Sequence, residues 1–381
     1  MLPISAAALA ALGQGTRRPV RAEWSNDGGV TWNQARFGSG SVTPDRTSEC
    51  RYSASVELLD PPRGRSGVNS ITTEVRLFQG IGVPRRDIEW IPAGWYVIDR
   101  LKQTRLGVSL DLLGREDAIR TASLPTARTV GPDTAQECAH TLVGEALPGA
   151  PIAWRSGVKE STALPAFVVD EDRWAALSGG TDTAGVSTGV AASLGAEVYA
   201  NATGIITFAP VPTLADPVVW RIPRHLATAE PSEEETNEGL ANLWVVTGDS
   251  GSGSAIVGPA YAWDDDPASL TYAGPDPVGD PLAPQRLGLY GVRVRTSRYT
   301  SPLVTSQAQA DDVARAKLAD SLGVQASLSF TSVCNPALEP GDVVEVEVSA
   351  GRWERHLIDS NPYTLGGVSM ACQTRTSTRR L

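Results

Sequence analysis

The sequence predicts a mainly β chain with an α+β insertion: two β-rich regions separated by a small α/β region. Three observations predict it. Short runs of alternating apolar and polar residues recur along both ends of the chain, the period-2 signature of half-buried strands. Gly (37) and Pro (27) are abundant among the 381 residues and punctuate those runs, as expected of short strands joined by tight turns. The strongest helical pattern, Thr134 to Leu147, lies between the two strand-rich stretches. The expected division is an N-terminal helix at 1–16, a first β region at 17–122, the insertion at 123–215, and a second β region at 216–381 with a packed helix at 306–322.

In order, Ser5 to Leu12 reads as a short docking helix. Val20 to Trp24 and Val30 to Trp32 flank Ser25-Asn26-Asp27-Gly28-Gly29, a hairpin signal. Ser25, Asp27, Gly29, Thr31 and Trp32 also match the Asp-box of sialidase propeller blades. A propeller needs repeated blades, and the chain has one copy and no internal period. Turn chemistry accounts for the match, with Asp bonding back to the backbone and Gly taking positive φ. Cys50 to Leu59 alternates again, Thr72 to Leu77 is a strand, Trp90 to Asp99 is a turn followed by a strand, and Gly107 to Leu113 is another. Six or so short strands in about 100 residues read as a closed barrel or sandwich.

Thr134-Ala135-Gln136-Glu137 is a capping box. Behind it Ala135, Cys138, Ala139, Leu142, Val143 and Ala146 share a stripe, with His140 outside it. Gly185 to Leu194 suggests a second helix, weakened by Gly189. Ala196 to Ala200 and Ile205 to Phe208 are strands around an Asn201-Ala202-Thr203-Gly204 turn. Farther on, Ala241 to Gly248, Ala260 to Asp264 and Leu287 to Arg295 are strand-like. The 306–322 helix is expected to pack its Val313/Leu318 face on the second β region. In Ser327 to Ser349, strand signals surround Asn335-Pro336 and Pro340-Gly341-Asp342, where Pro fixes φ and removes a ladder donor. Val344, Val346 and Val348 lie on one face of the last strand there, opposite Glu345 and Glu347. His356 to Asp359 and Met370 to Arg375 are the final strands, followed by a basic tail from Arg375 to Leu381.

The turn N-P-x-L-x-P-G-D-x-V at 335–344, preceded by a helix, resembles the second hub domain of phage tail-tip and baseplate-hub proteins. The first region is similar to the first hub barrel of actinobacteriophage minor tail proteins. There a hairpin is followed by G-S-V-T-x-D-R-T (40–47), a long strand, G-x-Y-V-I-D (94–99) and a strand ending L-G-R-E-D (113–117). That family usually ends closer to G-x-D-R. W-x-x-L, then G-A-E-V-Y-x-N-x-x-G-x-I-T-F-x-P, resembles the small insertion between the hub barrels, with Asn201 where the family commonly has Asp. The resemblance covers about Pro19 to Arg375. It implies two hub-type β-barrels per subunit and a homotrimer forming a pseudo-sixfold ring. Such a ring adapts the sixfold tail tube and distal tail protein to threefold tip or fibre proteins and passes DNA. Implied partners are the distal tail protein, tail tube or tape measure protein, and tip or fibre proteins, in a virion tail tip assembled in the host cytoplasm.

Net charge is −10, and eleven acids without one Lys or Arg lie between Ala229 and Leu282. This argues against sequence-specific nucleic-acid binding, which needs basic residues at the phosphates. It suits a wall that DNA passes without sticking. No apolar run approaches the ~20 residues of a membrane span. Cys50, Cys138, Cys334 and Cys372 form no CxxC pair; buried thiols are the default, with a disulfide left open. No catalytic, cofactor-binding or metal-ligating set is visible. There are three histidines, none partnered at i+3 or i+4, and no phosphate loop or nucleophile elbow. Asp264-Asp265-Asp266 lacks the spaced ligands of a calcium loop and reads as a solvated acidic turn. A structural, non-enzymatic subunit is therefore expected. A tail-associated glycan or peptidoglycan hydrolase, or a carbohydrate-binding β-protein using Trp24, Trp32 or Trp263, remain the alternatives.

Overall fold

The computed structural model describes the chain except residues 63, 65, 85, 181–185, 228–231, 236–239, 250–254, 270, 280–293, 323–325 and 377–381. The chain is mainly β with a small α/β insertion. Six strands, β1 (Val20–Ser25), β2 (Asn33–Pro44), β3 (Tyr52–Leu59), β4 (Glu74–Gly82), β5 (Ile88–Gln103) and β6 (Gly107–Gly114), pair in the order β1-β4-β5-β6-β3-β2. The β1–β2 pairing, Ala22 opposite Ala35, closes the circle. Alternation explains the closure. Val56 and Leu58 on β3, Val75 and Leu77 on β4, and Val108, Leu110 and Leu112 on β6 are all buried inside it. Each such side chain contributes about 1.5–3 kcal/mol by leaving water.

The expected turn at Trp90 to Gly94 is absent, because β5 runs unbroken through it. Gly94 absorbs the irregularity at φ 140°. The Tyr96 ring lies against it, so that a Cβ there would sit 2.1 Å from the phenol oxygen. The Tyr96 hydroxyl donates to the Ala93 carbonyl at 2.6 Å, which holds the bend.

The second β region runs in the order Val218–Ile222, Val343–Ser349, Arg352–Ser360, Ser369–Thr376, Ala326–Val333, Ser232–Glu235. It is continuous with the barrel. The short strand Tyr363–Thr364 pairs with Val42 and Ser41 of β2, and Asp45 bridges Ser360. A single hydrophobic core accordingly includes Leu58, Leu77 and Tyr96 from the barrel and Phe330, Val344 and Ile358 from the second region. The N-terminal helix Ala6–Ala11, capped by Ser5, lays Ala8, Ala11 and the following Leu12 into that core.

The insertion forms its own core. Helix Ala135–Ala146 is N-capped by the Thr134 hydroxyl, which accepts from the Glu137 amide at 3.2 Å. Its Leu142 and Val143 are fully buried against Phe208 and Leu177. His140 is exposed. The second expected helix shrinks to one turn, Val190–Ser193. Gly189 lies against the Gly179 backbone, where a Cβ would come within 2.1 Å. The residue expected to start that helix, Gly185, lies outside the described residues.

The largest difference from expectation concerns the late helix, Gln307–Ser321. It packs not on the second β region but on a separate three-stranded sheet of Leu243–Asp249, Ala255–Trp263 and Thr296–Thr300. Val313 and Ala314 are buried against Val246, Val257 and Ala260, while Leu318 is only partly buried. Helix and sheet leave the second β region together between Glu235 and Ala326, so their apolar faces meet each other first. Of the expected strand Leu287 to Arg295, residues 287–293 lie outside the described residues, and Val294 and Arg295 precede the strand that begins at Thr296.

Candidate functional site: a polar seam joining the units

The barrel, the insertion, the second β region and the late helix meet at a seam built from the connections after β2 and β6. Asp45 shapes the first of these, accepting from the Thr47 amide at 2.8 Å and its hydroxyl at 2.7 Å. That turn aims Arg46 across the seam. Its Nε donates to Glu197 Oε2 of the insertion at 2.8 Å and its Nη2 to Asp320 of the late helix at 2.9 Å. Its amide donates to the Asp359 carbonyl of the second β region at 2.8 Å. Arg51 takes the other Glu197 oxygen at 2.8 Å and stacks on the Tyr199 ring at 3.4 Å. Burial weighs against the Arg51 charge, but Glu197 more than offsets this and holds its pKa above the usual value. Glu197 is thus gripped by two arginines of the barrel's β2–β3 connection, a pairing in which both charges are satisfied.

The L-G-R-E-D segment at the end of β6 supplies the second fastening. Arg115 donates to Glu74 at 3.2 Å and to the Gly204 carbonyl of the insertion at 3.4 Å, with its guanidinium 4.2 Å from the Trp95 ring centre. The Trp95 indole donates to the same Glu74 at 3.1 Å. Gly204 sits at φ +77°, and a Cβ there would be 2.5 Å from Trp95. The neighbouring Asn201 side chain accepts from the Thr203 and Ile205 amides, so Asn closes this turn as Asp would. Glu116 turns inward and accepts from the Arg51 amide at 2.7 Å. Its other oxygen has no hydrogen bond, and burial pushes its pKa up to about 7.

The N-P-A-L-E-P-G-D turn receives the N-terminal segment. Leu2 donates its amide to Ala337 at 2.7 Å, and the Met1 ammonium contacts Asp342 and, at 3.7 Å, Glu339. Burial raises the Glu339 pKa, against the pull of that ammonium. Tyr52 of β3 reaches Glu339 at 3.3 Å. A cavity of about 200 Å³ opens here between Arg51, Tyr199, Pro212 and Pro340. This chemistry fixes units relative to one another.

Other sequence candidates are placed differently. Asp264 is not solvated: it is 4% exposed and accepts from the Ser269 and Thr271 hydroxyls, whereas Asp265 and Asp266 are exposed. Trp24 is buried in the barrel, Trp32 packs edge-on against Trp95 at 5.0 Å, and Trp263 is half-buried. The Asp-box residues form a turn in which Asp27 accepts from Ser25 and Thr31. Those hydrogen bonds, Ser25 first, lower its pKa to about 2. All four cysteines are free and buried. Among the described residues no cluster of His, Cys, Asp and Glu has the makings of a metal site, and no helix is long and apolar enough to cross a membrane. The ion pairs of the seam were missed from sequence. Asp45-Arg46 stood out only as part of a motif, and nothing local points from Arg46 to Glu197.

Comparison with known proteins bears on the whole architecture. A family model described as putative phage tail protein matches residues 284–360. A tail protein from Neisseria meningitidis MC58 superposes with a TM-score of 0.58 at 11% identity, covering 94% of this chain and 96% of its own. The chain has the fold of phage tail proteins. Prophage tail protein gp18 from Listeria monocytogenes EGD-e gives a TM-score of 0.55 at 10% identity, over 94% of this chain and 95% of that one. The 43 kDa tail protein of prophage MuSo2 from Shewanella oneidensis gives 0.52 at 12%, over 93% and 98%. No curated protein matches. Within this tail-protein fold, the seam is the place where barrel, insertion and second region are locked together.

Proposed function

We propose that the chain is a structural subunit of a phage-type tail and serves as the hub of its tip. The observation that carries the reading is the end-to-end likeness to three tail proteins, each covered over at least 95% of its own length. A match of that extent concerns the whole assembly of units rather than one widespread β-barrel. The fastened seam supports it, since a part that bears load between tail tube and tip must hold its units in fixed relation. In this reading the two β regions are related barrels, residues 17–122 and 216–381. Three copies place six of them around the tail axis, with the distal tail protein on one side and tip or fibre proteins on the other. DNA passes through the ring. Some of the acids of 229–282 line that passage or its mouth, where only those within about 8–10 Å of the DNA act at physiological salt; the buried Asp264 is not among them. The subunit performs no hydrolysis.

Solution mass together with negative-stain images of the particle tests this. A trimer, and antibody label at the tail tip, are expected. Label elsewhere on the particle, or cell-wall hydrolysis by the purified chain that one carboxylate substitution abolishes, overturns the reading.

A further inference from the structure

The cavity beside the seam, about 200 Å³, lies where the barrel, the insertion and the second β region meet, the kind of position in which ligand pockets form most often. Its walls include Pro210 and Pro212 of the segment leaving the insertion and Pro340 of the N-P-A-L-E-P-G-D turn. Proline fixes φ and has little side-chain freedom, so these walls are formed in advance. The volume exceeds the roughly 150 Å³ that holds benzene in a protein interior, which is room for a small molecule. Three carboxylates border the cavity: Glu197, Glu339 and Asp342. Each of their oxygens already meets a donor. Glu197 is held by Arg51 and Arg46 at 2.8 Å each. Glu339 meets the Tyr52 hydroxyl at 3.3 Å and, at 3.7 Å, the Met1 ammonium. Asp342 meets that ammonium and accepts from the Glu339 amide at 2.8 Å.

The donors of the cavity are not engaged in the same way. Arg51 gives one Nη to Glu197, and its other guanidinium nitrogens have no partner among the described residues, although the side chain is only 7% exposed. Stacking on the Tyr199 ring at 3.4 Å fixes its plane. The exposed Arg155 side chain forms no hydrogen bond or ion pair among the described residues. The Tyr199 hydroxyl is likewise unpaired there. Burial raises its pKa and keeps it protonated, while the charges of Arg51 and Arg155 pull the other way, which marks all three groups as neighbours. We propose that this cavity is a binding site for a small oxyanion, a carboxylate or phosphate group held by Arg51, Arg155 and the Tyr199 hydroxyl. Guanidinium donors match the oxygens of both groups, and hydrogen bonds to an ionised acceptor are the stronger kind. A cation is disfavoured, because the carboxylate oxygens are already taken. A bound anion bridges Arg51 of the β2–β3 connection to Arg155 and Tyr199 of the insertion, so it tightens the seam and stabilises the fold.

The test is isothermal titration calorimetry and thermal melting of the full chain with succinate and, separately, with inorganic phosphate, at fixed ionic strength. Saturable binding of at least one of them, with a rise in melting temperature, is expected, and the tighter of the two assigns the oxyanion. Arg155→Gln alters an exposed side chain and should weaken binding about 10- to 100-fold, the loss that goes with a charged hydrogen bond. Tyr199→Phe keeps the ring under Arg51 and should weaken it about 3- to 10-fold. Arg36→Gln removes an exposed arginine on β2, opposite Leu59 and away from the cavity, and should leave binding unchanged. Melting of each variant without ligand confirms that it is folded. No saturable binding of either anion up to about 10 mM, a concentration far above a Kd of use to the protein, overturns the site. Binding that is indifferent to both Arg155→Gln and Tyr199→Phe overturns it too, as does equal weakening by Arg155→Gln and Arg36→Gln, the mark of non-specific attraction. Each of these results leaves the hub reading as it stands.

Discussion

Glu116 offers a test of the seam that isolates one proton. Its carboxyl group is 1% exposed, one oxygen receives the Arg51 amide at 2.7 Å, and the other has no hydrogen bond. Burial raises its pKa from 4.5 to about 7. The folded state therefore binds this proton more tightly than the unfolded one, and the sign follows. Below about pH 4.5 the group is protonated in both states and costs nothing. As pH rises towards 7 the unfolded chain ionises first, and stability falls. Above about pH 7 both states are ionised and the full penalty is in place. Two and a half pH units correspond to about 3 kcal/mol, and most of it, about 2–3 kcal/mol, develops between pH 5 and pH 8. Glu116→Gln keeps an oxygen for the Arg51 amide and removes the titration. Urea unfolding of both proteins at pH 5 and pH 8 gives a difference of differences from which other titrating groups cancel. The variant should gain about 2–3 kcal/mol on wild type between the two pH values. An equal pH dependence in the two proteins would refute the buried, charge-averse environment assigned to Glu116.

Three further outcomes are expected. Arg51→Ala should cost about 1–3 kcal/mol by leaving the partly buried Glu197 with Arg46 alone. Adding Glu197→Gln should then cost less than it does alone, because only the Arg46 contact remains to be lost, and a double-mutant cycle by urea unfolding that gives simple additivity counts against their pairing. Gly204→Ala combines an unfavourable φ of +77° with a Cβ 2.5 Å from Trp95, so a loss of about 1–3 kcal/mol is expected. It should be accompanied by a changed Trp fluorescence; an unchanged melting curve would show that the 201–204 turn does not press on the barrel. Leu318→Ala should cost less than Leu142→Ala, about 1–2 against about 2–5 kcal/mol, since Leu318 is only partly buried and Leu142 fully so. Thermal melts giving the reverse order would contradict the packing of the late helix.

What the sequence disclosed was local. The Thr134 cap, the Asn335-Pro336 break, the Asn201 turn and the alternation on β3 and β6 are written in neighbouring residues, because capping, φ restriction and pleat period act over a few positions. The family resemblance added an expected order of units. Long-range choices were not legible. Arg46 meets Glu197 across 151 positions, and no local pattern distinguishes that arginine from a solvated one. The late helix has an apolar stripe that fits any sheet, and the nearer partner in the chain won. Gly94 reads as a turn residue, yet here it lets a strand bend past Tyr96. Asp264 reads as one of three surface acids, but two hydroxyls from residues 269 and 271 give it a buried set of donors.

The most direct test of the central claim is cryo-electron microscopy of an intact particle assembled with this chain. The account predicts density at the tail tip that fits the closed barrel and the second β region, repeated three times around the axis and surrounding the DNA passage. Density for the chain lying away from the axis, repeated with another symmetry, or missing from the tail would contradict it.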